Sequence, residues 1–96
     1  MTINRIDAKR DANEREITEF LDTLGVLWFP ISSTKIPDLL VCHRGAWILL
    51  EVKAKQGRLT DHQKDFFNQV RAQVPMPPTY VVRDILDVEM ALGMNS

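Results

Sequence analysis

Ile17, Phe20, Leu21 and Leu24 recur at helical spacing, which predicts a helix from about residue 5 to residue 24 with Gly25 as its stop. Continued backwards, the same stripe runs through Glu14, Asn13 and Arg10 to Ile6 and Ile3, while Glu16 and Glu19 fall on the wet side. A first strand follows at 26–31, then a turn at 32–35 rich in hydroxyls. Two nearly unbroken apolar runs, 38–43 and 46–53, flank Arg44-Gly45 and read as a central hairpin of strands covered on both faces. After the loop Lys55-Gln56-Gly57-Arg58, the T-x-x-Q pattern of Thr60 and Gln63 is a capping box that opens a helix. That helix should run to about Val74, where Pro75, Pro77 and Pro78 end it. A fourth strand at 79–83 and a short helix at 84–92, capped by Asp84 and stopped by Gly93, complete an αβββαβα order.

A chain of 96 residues with 45% hydrophobic and 26% charged positions supports one ordinary folded domain and excludes disordered and fibrous classes. No apolar run is long enough to span a membrane, and the polar segment from Thr2 to Glu16 lacks the apolar stretch of a signal peptide, so a cytoplasmic protein with no membrane partner is expected. Cys42, the single cysteine, cannot form an internal disulfide and reads as a small core residue. His43 and His62 lack the spacing of a zinc site and read as surface or turn histidines. The net charge of −1 excludes binding to nucleic acid by global basicity, yet six basic residues lie between Lys35 and Lys64 against only Asp38, Glu51 and Asp61. Within that segment Lys35, Lys55, Arg58 and Lys64 are candidate phosphate contacts.

A two-residue turn at Arg44-Gly45 pairs His43 with Ala46 and, counted outwards, Asp38 with Glu51. A bulge in the turn would break that register. Directly opposed residues on one face stand roughly 4.5–5.5 Å apart at Cβ, where like charges destabilise a sheet. Two anions among apolar neighbours therefore require compensation, which a hard divalent cation such as Mg²⁺ supplies through oxygen ligands. Asp38, Glu51 and the backbone carbonyl of Val52 could provide them. Strand alternation puts Lys53 on the same face as Glu51, where its ammonium could stabilise charge on a phosphoryl group or position water. The bland alternative is a turn-capping Asp38 with Glu51 and Lys53 as exposed partners on an edge strand.

Pro37-Asp38, a gap of twelve residues, then Glu51-Val52-Lys53 resembles the PD-(D/E)xK nuclease signature in an E-V-K form. Together with Leu39, Arg58-Leu59 and Gln63 it is similar to the VRR-NUC branch, and the similarity spans nearly the whole chain. The resemblance implies a restriction-endonuclease-like αβββαβ core, a mixed four-stranded sheet flanked by helices, within a single domain. It further implies a DNA endonuclease acting in phage or bacterial replication, recombination or repair. Asp38 and Glu51 would bind Mg²⁺ or Mn²⁺, with Glu14 as a first-helix acid acting through water; Lys53 would be the catalytic lysine and Gln63 the glutamine lining the site. Minimal relatives resemble Holliday-junction resolvases, which suggests branched DNA as substrate and a homodimer as the working form. Many relatives carry glycine before the Pro-Asp pair, where this chain has Lys35-Ile36. The competing class is a catalytically inactive nucleic-acid-binding module that keeps the nuclease fold.

Overall fold

The computed structural model describes residues 8–94, with side chains from Ala12 onward. Ile3, Ile6, the first turn of the expected amino-terminal helix and the side chain of Arg10 lie outside the described residues. Within them the chain forms α1 (Ala8–Thr23), β1 (Leu27–Pro30), β2 (Leu39–His43), β3 (Ala46–Val52), α2 (Asp61–Arg71), β4 (Thr79–Val82) and α3 (Ile85–Ala91). The expected order holds, and most elements are a residue or two shorter at their ends. The larger difference is α2, which stops at Arg71 with Ala72 as its cap rather than near Val74. Pro75 bars the helical region to Val74 and has no N–H to give the Arg71 carbonyl, so the helix could not have continued through it.

The strands make one sheet in the order β1-β2-β3-β4, antiparallel except for the parallel pair β3-β4. Arg44 and Gly45 both take positive φ, 54° and 79°, the backbone of a two-residue turn whose twist suits a hairpin. The turn contains no bulge, and His43 pairs with Ala46 and Leu39 with Leu50 as the sequence expects. The crossover from β3 to β4 carries α2 across one sheet face, while α1 and α3 cover the other.

The α1/α3 face holds the core. Ile17 and Leu21 of α1 and Val88 of α3 are fully buried with Leu39, Val41, Leu50, Val52 and Val82, and Phe20 and Leu24 pack at the margin. Alternation along the strands sends the remaining apolar residues to the α2 face, where coverage is partial. Phe67 and Val70 of α2 are buried at one end. Towards the hairpin turn, Leu27 stands beside Cys42 and Cys42 beside Trp47, with Phe29 beside Leu40 and Leu40 beside Leu49 in the next row. Here Trp47 is 54% exposed, Leu27 52% and Phe29 47%. The central strands β2 and β3 are thus well covered on one face only, because an eleven-residue α2 is too short to shield both ends of the other. Cys42 is correspondingly half-buried rather than a core residue. His43 also departs from a surface reading: it is half-buried, and its Nε2 is a buried atom without a hydrogen-bond partner.

Candidate active site

Asp38 immediately precedes β2, and its backbone carbonyl accepts from Ile31 N at 2.7 Å, which continues the β1-β2 ladder to the end of the sheet. By the same hairpin register Asp38 lies across from Glu51. Both are buried, Asp38 5% and Glu51 2% exposed. Asp38 Oδ2 accepts the backbone N–H of Val52 at 2.8 Å. Residue 37, across from Val52 when the hairpin register is extended, is a proline without N–H, so it cannot donate a ladder bond to the Val52 carbonyl. In a strand the N–H and C=O of one residue point to the same edge, so the Val52 carbonyl is directed to the side where Asp38 sits.

Glu51 is held from the opposite direction. Gln63 Nε2 donates to Glu51 Oε2 at 3.0 Å. The same side chain accepts from Thr60 N at 2.8 Å through Oε1, while Gln63 N donates to Thr60 Oγ1 at 3.2 Å, which completes the capping box. The two readings of Gln63, cap and site residue, are both correct and share one amide. Its orientation is fixed chemically, because the end facing a backbone N–H must accept and the end facing a carboxylate must donate.

Lys53 follows β3 and is half-buried. Its N–H donates to Val82 O at 3.0 Å, and its carbonyl accepts from Asn13 Nδ2 at 2.7 Å. The backbone from which the lysine extends is therefore pinned by β4 on one side and α1 on the other. The loop beyond it is pinned by Arg83, whose Nη1 donates to the carbonyls of Ala54 and Gly57, each at 2.7 Å, with Lys55 O further away at 3.4 Å. Neither Asn13 nor Arg83 stands out in the sequence as a site residue. Asn13 lies on the inward helical stripe, which was the available signal. Arg83 could be found only through the parallel pairing of Val52 with Val82, which brings the ends of β3 and β4 together.

Asp38, Glu51 and Gln63 are thus in one place, with Lys53 at the adjoining strand end. Glu14 is half-buried and lines a recess with Arg15, Thr18, Trp28 and Pro30, between α1 and the first strand. Lys35, Lys55, Arg58 and Lys64 are exposed. Among the described residues there is no cluster of three or more His, Cys, Asp or Glu side chains suited to a metal. The donor set is instead two carboxylates and a backbone carbonyl, the chemistry that a hard cation shares with waters and substrate phosphate. A carboxylate offers about four acceptor positions, so hydrogen bonding to the protein and metal ligation are compatible. The residues present therefore fit Mg²⁺ or Mn²⁺ and do not resemble a zinc site.

A solved structure described as a VRR_NUC domain matches this chain with a TM-score of 0.71 and 24% identity, over 92% of this chain and 98% of that one. The chain therefore has the fold of that domain, a mixed α/β core consistent with the restriction-endonuclease-like arrangement. No family model matches the sequence. No curated protein matches it either. Among the described residues no helix is long and apolar enough to cross a membrane.

Gln63→Ala removes the side-chain half of the capping box, leaving the backbone N–H of residue 63 on Thr60 Oγ1, together with the support of Glu51, and a loss of about 1–2 kcal/mol in chemical denaturation is expected. Gln63→Glu keeps an acceptor for Thr60 N but sets a third carboxylate against Glu51; it should restore less than the full stability without a divalent cation and more with one. Equal stability of the two variants in both conditions would contradict a shared role. Arg83→Met should free the loop at residues 54–57, so that trypsin cuts after Lys55 or Arg58 at least several times faster than in the parent protein; an unchanged cutting rate would show that the guanidinium does not hold that loop.

Proposed function

We propose that this chain is a metal-dependent deoxyribonuclease of the VRR-NUC family. The observation that supports it most is the burial of Asp38 and Glu51 at opposed positions, with the Val52 carbonyl on the adjoining edge and Lys53 two residues beyond Glu51. Keeping two opposed carboxylates out of water opposes stability unless hydrogen-bond partners or a cation compensate. Asp38, Glu51 and the Val52 carbonyl would hold Mg²⁺ or Mn²⁺, with Glu14 contributing through water. Bound there, the cation would polarise the phosphodiester and favour attack by water.

The protein's own groups do the remainder. Gln63 fixes the orientation of Glu51, and Val52 N–H fixes that of Asp38, so neither acid needs to reorganise when substrate arrives. Lys53, anchored through its backbone by Val82 and Asn13, directs its ammonium at negative charge developing on the phosphoryl group, a contribution typically of about 3 kcal/mol for one well-placed donor. Lys55 and Arg58, on the loop gripped by Arg83, are placed to hold flanking phosphates, and Lys35 and Lys64 extend the cationic surface.

The test is cleavage of labelled linear, flap and four-way DNA in Mg²⁺, Mn²⁺ or EDTA by the parent protein, Asp38→Ala and Lys53→Ala. Cutting is expected with either metal, most strongly on branched DNA. Each variant should lose at least a hundredfold in rate. Cleavage that persists in EDTA or in either variant would overturn the mechanism, and tight binding without any cutting would favour an inactive nucleic-acid-binding module.

A four-way junction calls for two paired cuts, and the partly exposed rows formed by Leu27, Cys42, Trp47 and by Phe29, Leu40, Leu49 suit association of two copies. They carry no charge, so they do not suit phosphate, and an uncharged face is compatible with its own symmetry mate. They would form the apolar centre of an interface that commonly needs about 800 Å² per partner. Sedimentation should give a dimer for the parent protein and a folded monomer for Trp47→Lys. A parent protein that is monomeric throughout the micromolar range would exclude a preassembled pair.

A further inference from the structure

A cleft of about 240 Å³ opens between the 32–36 loop and α2, lined by Lys35, His62, Asp65, Phe66 and Gln69. It is smaller than the roughly 300–1,000 Å³ of pockets that enclose a whole small molecule, and suits one planar group. Both walls are chain neighbours of the site: Lys35 comes three residues before Asp38, and His62 adjoins Gln63. His62 and Phe66 are four residues apart on the helix, so their rings sit on the same side with Cβ atoms about 5–6 Å apart. Phe66 is not a loose side chain. Its ring meets that of buried Phe67 edge-on, with centroids 5.8 Å apart and planes at 87°, which fixes its position.

The charges of the cleft are sorted as well. Asp65 Oδ2 accepts from Gln69 Nε2 at 3.0 Å, so the one carboxylate on the wall is engaged along its own helix. Lys35 N donates to Ser33 Oγ at 3.1 Å, which shapes the turn that carries the lysine. A fixed aromatic ring, a neighbouring imidazole and an ammonium opposite them are the components of a stacking site with a phosphate contact, the combination that binds single-stranded nucleic acid. In a paired duplex the bases are already stacked and cannot enter such a cleft.

We propose that the cleft receives the unpaired base adjoining the scissile phosphate, stacked on Phe66 and His62, with Lys35 on the neighbouring phosphate. This rests on the nuclease reading and deepens it: the enzyme selects strands with an unpaired nucleotide at one fixed distance from the cut. The experiment walks a single abasic position through a flap substrate and measures kcat and KM for the parent protein, His62→Ala, Phe66→Leu and Lys35→Ala. At one position the missing base should raise KM about tenfold in the parent protein with kcat little changed, and the penalty should fall below about twofold in His62→Ala and Phe66→Leu. Lys35→Ala should weaken binding of intact and abasic strands equally. His62 and Lys35 are exposed, so their replacement tests the cleft even where Phe66→Leu disturbs packing. No position-specific penalty, or the same penalty in every variant, would overturn the proposal. If the parent protein cuts no DNA, the nuclease reading fails first, and the same abasic walk read as equilibrium binding in Ca²⁺ judges the cleft alone: a position-specific loss abolished by His62→Ala upholds it, and a flat profile overturns it.

Discussion

Two carboxylates opposed across a hairpin and withdrawn from water set the terms for the rest of this structure. Asp38 and Glu51 occupy positions that hydrophobic residues would fill at lower cost, and each is anchored by a hydrogen bond to a different element. Removing a carboxylate from water opposes folding by several kcal/mol unless partners or a cation compensate. Nothing about packing the core requires acids here, since the core lies on the other face of the sheet. On the proposed reading, a bound divalent cation would offset the cost of holding both acids there.

The architecture divides the work between the two faces. On the α1/α3 side a continuous apolar layer fixes the sheet, and with it the hairpin register that opposes the two acids. On the α2 side a shorter helix leaves part of the sheet bare and spends its amino-terminal turn on the site. Gln63 couples these roles, because the amide that closes the capping box also reaches Glu51. Fraying of that helix end and loss of support for the acid are therefore one event. At the same end of β3, the parallel partner β4 supplies the ladder bond to Lys53, and Arg83 just beyond it supplies the guanidinium that grips the next loop.

Much of this was legible from the residues. A two-residue turn at Arg44-Gly45 determines every pairing in the hairpin, so the opposition of Asp38 and Glu51 follows from counting, and the structure keeps that count. Thr60 and Gln63 announced the helix start because capping is local chemistry. What depends on distant segments was not legible. The exposure of Trp47 and Leu27 depends on how far α2 reaches, and an unbroken apolar run cannot disclose whether one face or both will be covered. The bond from Asn13 to Lys53 spans forty positions, and the grip of Arg83 on the 54–57 loop requires knowing that β4 lies parallel to β3. Both link side chains to backbone carbonyls, whose positions carry no residue-type signal.

Diffraction from crystals soaked in Mn²⁺, recorded near the manganese absorption edge, addresses the central claim without relying on turnover. An anomalous peak coordinated by Asp38, Glu51 and the Val52 carbonyl, and absent when Asp38 is replaced by asparagine, is the predicted result. A map with no ion between the two acids at saturating Mn²⁺, or with the ion bound by other residues, would contradict it.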